Sequence, residues 1–343
     1  MRFKPFSAGL AVAVATVVLV AAPVASAHAA PSCTWGVTSF DLPAGLSTFD
    51  VSAADGDYIA GMAQDPDGNM YPVLWRGGSA TVLETSGGSG GYISVVNADG
   101  MAAGGILGRG PVLWSERAAI DLATPAGAVG VVVRGITDAG QIIGNAVFSE
   151  EEMWSHGIVW SVDSPGEYRD LGAGSGSLEL MDVDDDGTMV AVTSNHEASH
   201  PNRTTTALKG TATNGFSPLP RREETTGSSV GQVAGEYALG SVSVPREDGT
   251  EESSRILWHN DTFTTLPSDF DATSVNKDGA VSGFLDGEGG VWRAGSFSAL
   301  PTYRPGIIVL PLIIKDDGVV VGTAISDPAA EGGRHVPVLW TCS

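Results

Sequence analysis

His196, Glu197 and His200 spell a formal H-E-x-x-H. On a helix that spacing turns two imidazoles toward one zinc ion, and the glutamate activates a water. Here the lead-in, Thr188 to Thr193, reads as a strand, and Pro201 follows at once. A residue before proline is pushed out of the helical region. The pattern lacks the helix its chemistry needs, so the preferred reading is a polar loop, with an incidental metal-binding loop as the alternative. A second candidate is Asp182, Asp184 and Asp186, followed by Gly187, which matches the front half of a calcium loop. Alternating carboxylates there converge on a hard cation. Thr193 stands where the closing bidentate glutamate belongs. The competing reading is a hairpin turn. A further acidic turn runs from Asp65 to Asn69. Calcium is therefore an optional ligand, and no cofactor is required.

No catalytic set is assigned. Candidate binding residues are His156, His196, Glu197 and His200, all in or beside long variable segments. Acidic pairs such as Glu223-Glu224 and Glu251-Glu252 read as solvated faces, and His259 and His335, beside tryptophan strands, read as structural.

What positions these residues is a repeat. Turn glycines fall at Gly56, Gly100, Gly140, Gly187, Gly235, Gly279 and Gly318, a period of roughly 44 residues. That is the length of a four-stranded propeller blade. The first strand of a copy ends in Asp-Gly or a similar pair, which tolerates the positive φ of a tight hairpin. The second strand is small, apolar and usually ends in glycine, as in Val319 to Gly322. Such glycines admit another backbone closely, and the second strands are expected nearest the propeller axis. The third ends in tryptophan, as at Trp75, Trp114, Trp258 and Trp340, filling the wedge between blades. The fourth carries leucine, three times as Phe-x-x-Leu-Pro. Helical periodicity is absent. Copies three, four and five insert extra residues between second and third strands, at Phe148 to His156, Ser194 to Thr206 and Ser241 to Arg255.

The last copy ends just beyond Trp340 without a fourth strand, and residues near Val37 to Leu42 read as a fourth strand without a blade. Ring closure by that N-terminal strand yields an all-β, seven-bladed propeller of four-stranded antiparallel blades. Cys33 and Cys342, the two cysteines of the chain, would then lie together and pair in an oxidising compartment. Met1 to Ala30 has the basic start, apolar stretch and small-residue cleavage sites of a secretory signal, leaving residues 31–343 as one domain. Without that segment the net charge moves from -22 to about -24. Such a surface repels nucleic acid and anionic lipid. A secreted monomer with neither a nucleic-acid partner nor membrane insertion is expected.

Val275 to Gly283, Val96 to Gly104 and Ile314 to Gly322, each with an aliphatic-aliphatic-Trp strand downstream, resemble the bacterial extracellular HAF repeat. The resemblance covers nearly the whole mature chain. The His-Ala-Phe triplet itself is poorly kept, His156-Gly157-Ile158-Val159-Trp160 coming nearest, and Leu208 stands where copy four should have tryptophan. The resemblance implies secretion and a propeller-like fold, and no catalytic residues. The leading functional expectation is non-enzymatic binding of an extracellular protein, peptide or glycan at the long loops of blades 3–5. The alternative is a secreted hydrolase or lyase with its site over the central channel.

Overall fold

A computed structural model describes residues 34–86, 90–148, 154–173, 176–195, 204–246, 250–326 and 334–343. The signal segment, Cys33, and His196, Glu197 and His200 lie outside them. The described residues form seven antiparallel four-stranded sheets, each following chain order, and contain no helix. Blade 1 is Thr48–Asp55, Tyr58–Gln64, Met70–Arg76 and Ser79–Val82. Blade 2 is Gly91–Val96, Ala102–Ile106, Gly110–Ser115 and Ala118–Asp121. Blade 3 is Gly130–Ile136, Gln141–Val147, Ser155–Ser161 and Arg169–Asp170. Blade 4 is Gly176–Val183, Met189–Asn195, Thr205–Thr211 and Gly215–Pro218. Blade 5 is Gly227–Ala234, Tyr237–Pro245, Glu251–His259 and Thr262–Thr265. Blade 6 is Phe270–Val275, Val281–Leu285, Glu288–Arg293 and Ser296–Ala299. Blade 7 is Ile308–Ile314, Val320–Ser326 and Arg334–Cys342, and its fourth strand is Trp35–Ser39 from the start of the domain. That clasp runs from Trp35 opposite Cys342 to Ser39 opposite Val338. The phase of the two chain ends is as expected, with the clasp beginning slightly earlier in the sequence.

One expectation is corrected. The first strands, not the second, line the axis, because residues from all seven first strands surround one central cavity. The second-strand glycines answer to a different approach. Every first strand bulges where it faces the second, as between Val51 and Ala53 or between Pro311 and Ile313. A bulge bends its strand and presses its backbone against the partner. A Cβ on Gly61, Gly104, Gly144, Gly240, Gly283 or Gly322 would run into a first-strand carbonyl oxygen there. Blade 4 alone carries a side chain at that place, Ala191 opposite Leu180.

The third-strand tryptophans do occupy the wedges. Trp75, Trp114, Trp258 and Trp340 are almost completely buried. Each indole N–H also finds an acceptor where the preceding blade ends: Trp258 donates to Pro220 O at 2.7 Å and Trp340 to Pro301 O at 2.9 Å. A buried indole N–H without such an acceptor would be costly. The hairpin glycines have a second role. Gly100 and Gly279 sit at φ +80° and +71°, and a Cβ there would meet the ring of Tyr58 or Tyr237 in the blade before.

The segment Ser241 to Arg255 is not a long loop. Its two halves extend the ladder, pairing from Ser241 opposite Arg255 to Pro245 opposite Glu251. Turns between first and second strands, and between third and fourth, gather on one side of the ring, the hairpin face. Connections between second and third strands, and between blades, gather on the other, the loop face.

Candidate functional site

The axis opens on the hairpin face as a cavity of about 300 Å³. Its mouth is bordered by seven hairpins tied in sequence. Asn97 Nδ2 donates to Thr137 O at 3.1 Å, and Ala98 N donates to Asp138 Oδ1 at 2.8 Å. Asp138 N donates to Asp185 Oδ1 at 2.9 Å. Val233 N donates to Asp182 Oδ2 and Gly235 N to Asp184 Oδ2, both at 3.0 Å. Gln232 grips Thr273 O and Val275 N. Asn276 Nδ2 donates to Lys315 O, Lys277 N to Asp316 Oδ1, and Lys315 Nζ to Gly56 O at 2.7 Å. The asparagine of the repeat is thus a coupler. Its amide reaches the next blade while its Oδ1 caps its own hairpin, as Asn276 does for Ala280 N.

Three carboxylates converge within this ring. Oxygens of Asp55, Asp138 and Asp185, from blades 1, 3 and 4, all lie within 4.8 Å of one another. Among the described residues this is the one such group of His, Cys, Asp or Glu side chains. Each already accepts one backbone N–H: Gly56 N on Asp55 at 2.7 Å, and the two bonds above for Asp138 and Asp185. Burial pushes the Asp55 carboxyl up to about 6, against its bond from Gly56, and the charges of Asp138, Asp185 and Asp316 add to the rise. Such an arrangement can share a proton or accept a cation.

The sequence-derived calcium set does not assemble. Asp182 and Asp184 turn to blade 5, and Asp186 accepts Thr188 N within its own hairpin at 2.7 Å. The carboxylate of this hairpin that converges with Asp55 and Asp138 is Asp185, which the calcium pattern treats as a spacer. Asp65 is likewise consumed locally, by the N–H groups of Asp67 and Asn69 and by the side chains of Asn69 and Tyr71, and these bonds hold its carboxyl below its ordinary value. Gly87 to Gly91 spell a formal G-x-S-x-G. It falls between blades 1 and 2 and has no helix after it, so the strand-turn-helix context of a nucleophile elbow is missing.

Burial raises Asp182 to about 7, although Val233 N and Val183 N both bond its charged form. Asp184 is raised too, for the same first reason. A carboxyl with a raised folded pKa binds more protons folded than unfolded between the two values. Stability therefore falls as pH rises from about 4 toward 7, and is regained on acidification. Three units would be about 4 kcal/mol. Asp182 borders the open axial cavity, so about 1–2 kcal/mol is expected. Asp182→Asn should melt higher than the parent at pH 8 and show a flatter profile down to pH 5. A lower melting temperature for Asp182→Asn at pH 8 would mean that the charge is favourable in place.

His156 is on the loop-face half of blade 3. Its Nδ1 meets Asp170 Oδ2 at 2.9 Å and its ring packs on Phe148 at 4.6 Å. His259 is paired with Glu236 at 3.0 Å and His335 with Asp50 at 2.7 Å. His196, Glu197 and His200 fall between Asn195 and Thr205, the strand ends on the loop face of blade 4. Those strand ends are at the far side of the ring from the acidic mouth.

A seven-bladed β-propeller is the class that these sheets define. No family model matches the chain, and no curated protein does. Among solved structures it is similar to the β-propeller domain of the Trilobed protease from Pyrococcus furiosus, which is described as having an open velcro topology. The identity is 10%, the TM-score 0.58, and the match covers 86% of this chain and 95% of that one. It is also similar to a puromycin-hydrolyzing peptidase from Mycobacterium tuberculosis, at 14% identity and TM-score 0.55, covering 82% of this chain and 49% of that one. A structure from a study of two prolyl endopeptidases matches at 13% identity and TM-score 0.52, covering 82% of this chain and 47% of that one. The chain spans about half the length of these two peptidases. At such identities the likeness is one of fold.

Proposed function

We propose that the chain is a secreted, non-enzymatic propeller scaffold of the HAF-repeat kind. It binds an extracellular protein, peptide or glycan through the loop face of blades 3–5. The observation that carries this reading is the asymmetry between the two faces. On the hairpin face, side chains are spent tying blade to blade. On the loop face, blades 2 and 6 turn back within Leu107–Arg109 and Asp286–Gly287. The connections after Val147 and Asn195 are longer, and the strands of blade 5 reach out to Pro245. Trp154 and Val129 stand exposed there, at 44% and 56%. Variable connections on a rigid frame are a common binding solution. Export is part of the proposal, with residues 1–30 removed and Cys33 joined to Cys342.

The test uses chain recovered from culture medium, with a mature start expected near Pro31. Replacing residues 148–154, 195–204 and 245–251 by the short turn of blade 6 should abolish binding to extracellular protein fractions and glycan arrays. The melting temperature should stay within a few degrees, because no wedge tryptophan is touched. Undiminished binding after that exchange would overturn the assignment. The alternative, a hydrolase or lyase over the channel, would have to work from Asp55, Asp138 and Asp185 on the opposite side.

A further inference from the structure

The loop face holds a further cavity, of about 490 Å³, beside the clasp. Its walls come from two connections between blades. Residues 40–47 lead from the clasp to blade 1, and residues 300–307 join blade 6 to blade 7. Each connection contains a tight turn. Leu46 N donates to Pro43 O at 3.1 Å, with Gly45 at φ +87°. Ile307 N donates to Arg304 O at 3.3 Å, with Pro305 and Gly306 between them and Gly306 at φ +78°. Proline second and a positive-φ glycine third are the residues of a type II turn, so Arg304 and Ile307 are fixed at its two ends. Phe40, Leu42, Leu46, Ile307, Ala324 and Val336 give the cavity its apolar lining. Phe40, Leu42 and Leu46 pack on the cluster around Phe49 and Trp75, whereas Ile307 and Ala324 pack with Val338 and Trp340. The cavity is a seam left open between two packed clusters.

Charge decides what this seam accepts. Arg304 lines it and makes no ion pair among the described residues. Its guanidinium lies over the Tyr303 ring at 5.0 Å, and its Nη2 donates to the Tyr303 hydroxyl at 3.3 Å. The Tyr303 oxygen reports the local field. Hydrogen bonds from Ser39 and Arg304 hold the phenol below its ordinary value, and the Arg304 charge adds to them. Partial desolvation and the charge of Asp41, which borders the same cavity, act the other way without cancelling these effects. Negative charge is therefore favoured beside Tyr303, in a chain whose formal net charge is -22. A guanidinium ordered against an aromatic ring is a receptor for a carboxylate.

We propose that this cavity binds a small monocarboxylic acid with an apolar tail, its carboxylate on Arg304 and Tyr303 and its tail along Leu42, Ile307 and Ala324. The site is separate from the connections of blades 3–5 and does not depend on their role. Its volume is that of a small-ligand site, and a tail of about eight carbons fits within it.

The probes are octanoate, octanol and octylammonium, each titrated calorimetrically into the full mature chain. Octanoate should bind, octanol more weakly, and octylammonium most weakly, against the pull of the net charge. Arg304→Gln, at an exposed side chain, should weaken octanoate about tenfold or more and leave octanol as it was. Tyr303→Phe keeps the ring and should weaken octanoate by a smaller factor. Arg221→Gln removes the same charge from the connection between blades 4 and 5 and should change nothing. Circular dichroism should show all three variants folded. Equal octanoate affinity in the parent and Arg304→Gln, or an equal loss in Arg221→Gln, would overturn the proposal. Octanol matching octanoate would show apolar contact alone, and octylammonium exceeding it would make Asp41 the deciding group; either result overturns it too. So does the absence of octanoate binding at millimolar concentration. None of these outcomes touches the binding role of the blade 3–5 connections, which their own exchange tests.

Discussion

Deleting residues 34–42 is expected to take most of the folded population away at 37 °C. The clasp supplies the fourth strand of blade 7, and Trp35 and Val37 pack on its core beside Val338 and Trp340. Phe40 and Leu42 cover the cluster around Phe49 and Trp75, and Asp41 O accepts the Trp75 indole N–H at 3.2 Å. These are partly buried side chains, so about 1 kcal/mol each is a fair allowance, together with a lost bond to a buried indole. The sum, on the order of 5 kcal/mol, rivals the whole stability of an ordinary domain. Thermal melting and limited proteolysis read the effect. Reduction of the intact chain should have a smaller effect in the same direction, through the proposed bond between Cys33 and Cys342. A truncated chain that melts within a few degrees of the parent would show that the ring stands without its clasp.

Gly322→Ala should lower stability by about 3 kcal/mol. The added methyl would fall inside the contact distance of the Leu310 carbonyl oxygen, which belongs to the bulged backbone of the neighbouring strand. Backbone at a bulge cannot swing aside like the end of a long side chain. Ala191→Gly is the matching control. Blade 4 already accommodates a methyl at that position, so only the flexibility of glycine is added, at about 1 kcal/mol. Equal losses for the two substitutions, measured by denaturant unfolding, would remove the steric account. The same logic extends to Gly61, Gly104, Gly240 and Gly283.

Much of the architecture was legible because each blade is written in local signals: a turn pair, a glycine-ended strand, a tryptophan-ended strand. The mismatch between a first segment without a blade and a last blade without an edge disclosed the closure. The acidic mouth was not legible. Asp55, Asp138 and Asp185 meet only because three distant hairpins are carried to one axis, and Asp185 was hidden inside a pattern that drew the eye to Asp182, Asp184 and Asp186. The glycines of the second strands announced a close backbone but not whose it was. A bulge leaves little mark on a single strand, so the sequence alone points to the second strand as the innermost. Ser241 to Arg255 reads as a loop in sequence because polar residues dominate a ladder that stands clear of the core.

Thr34 and Ser343 exchange backbone bonds at the end of the clasp, on the side where the hairpins lie. Both ways out of the domain therefore leave from one spot on its underside. A tether, tag or neighbouring module joined at either end would hold the disc like a plate on a stalk, with the long connections turned outward to whatever passes.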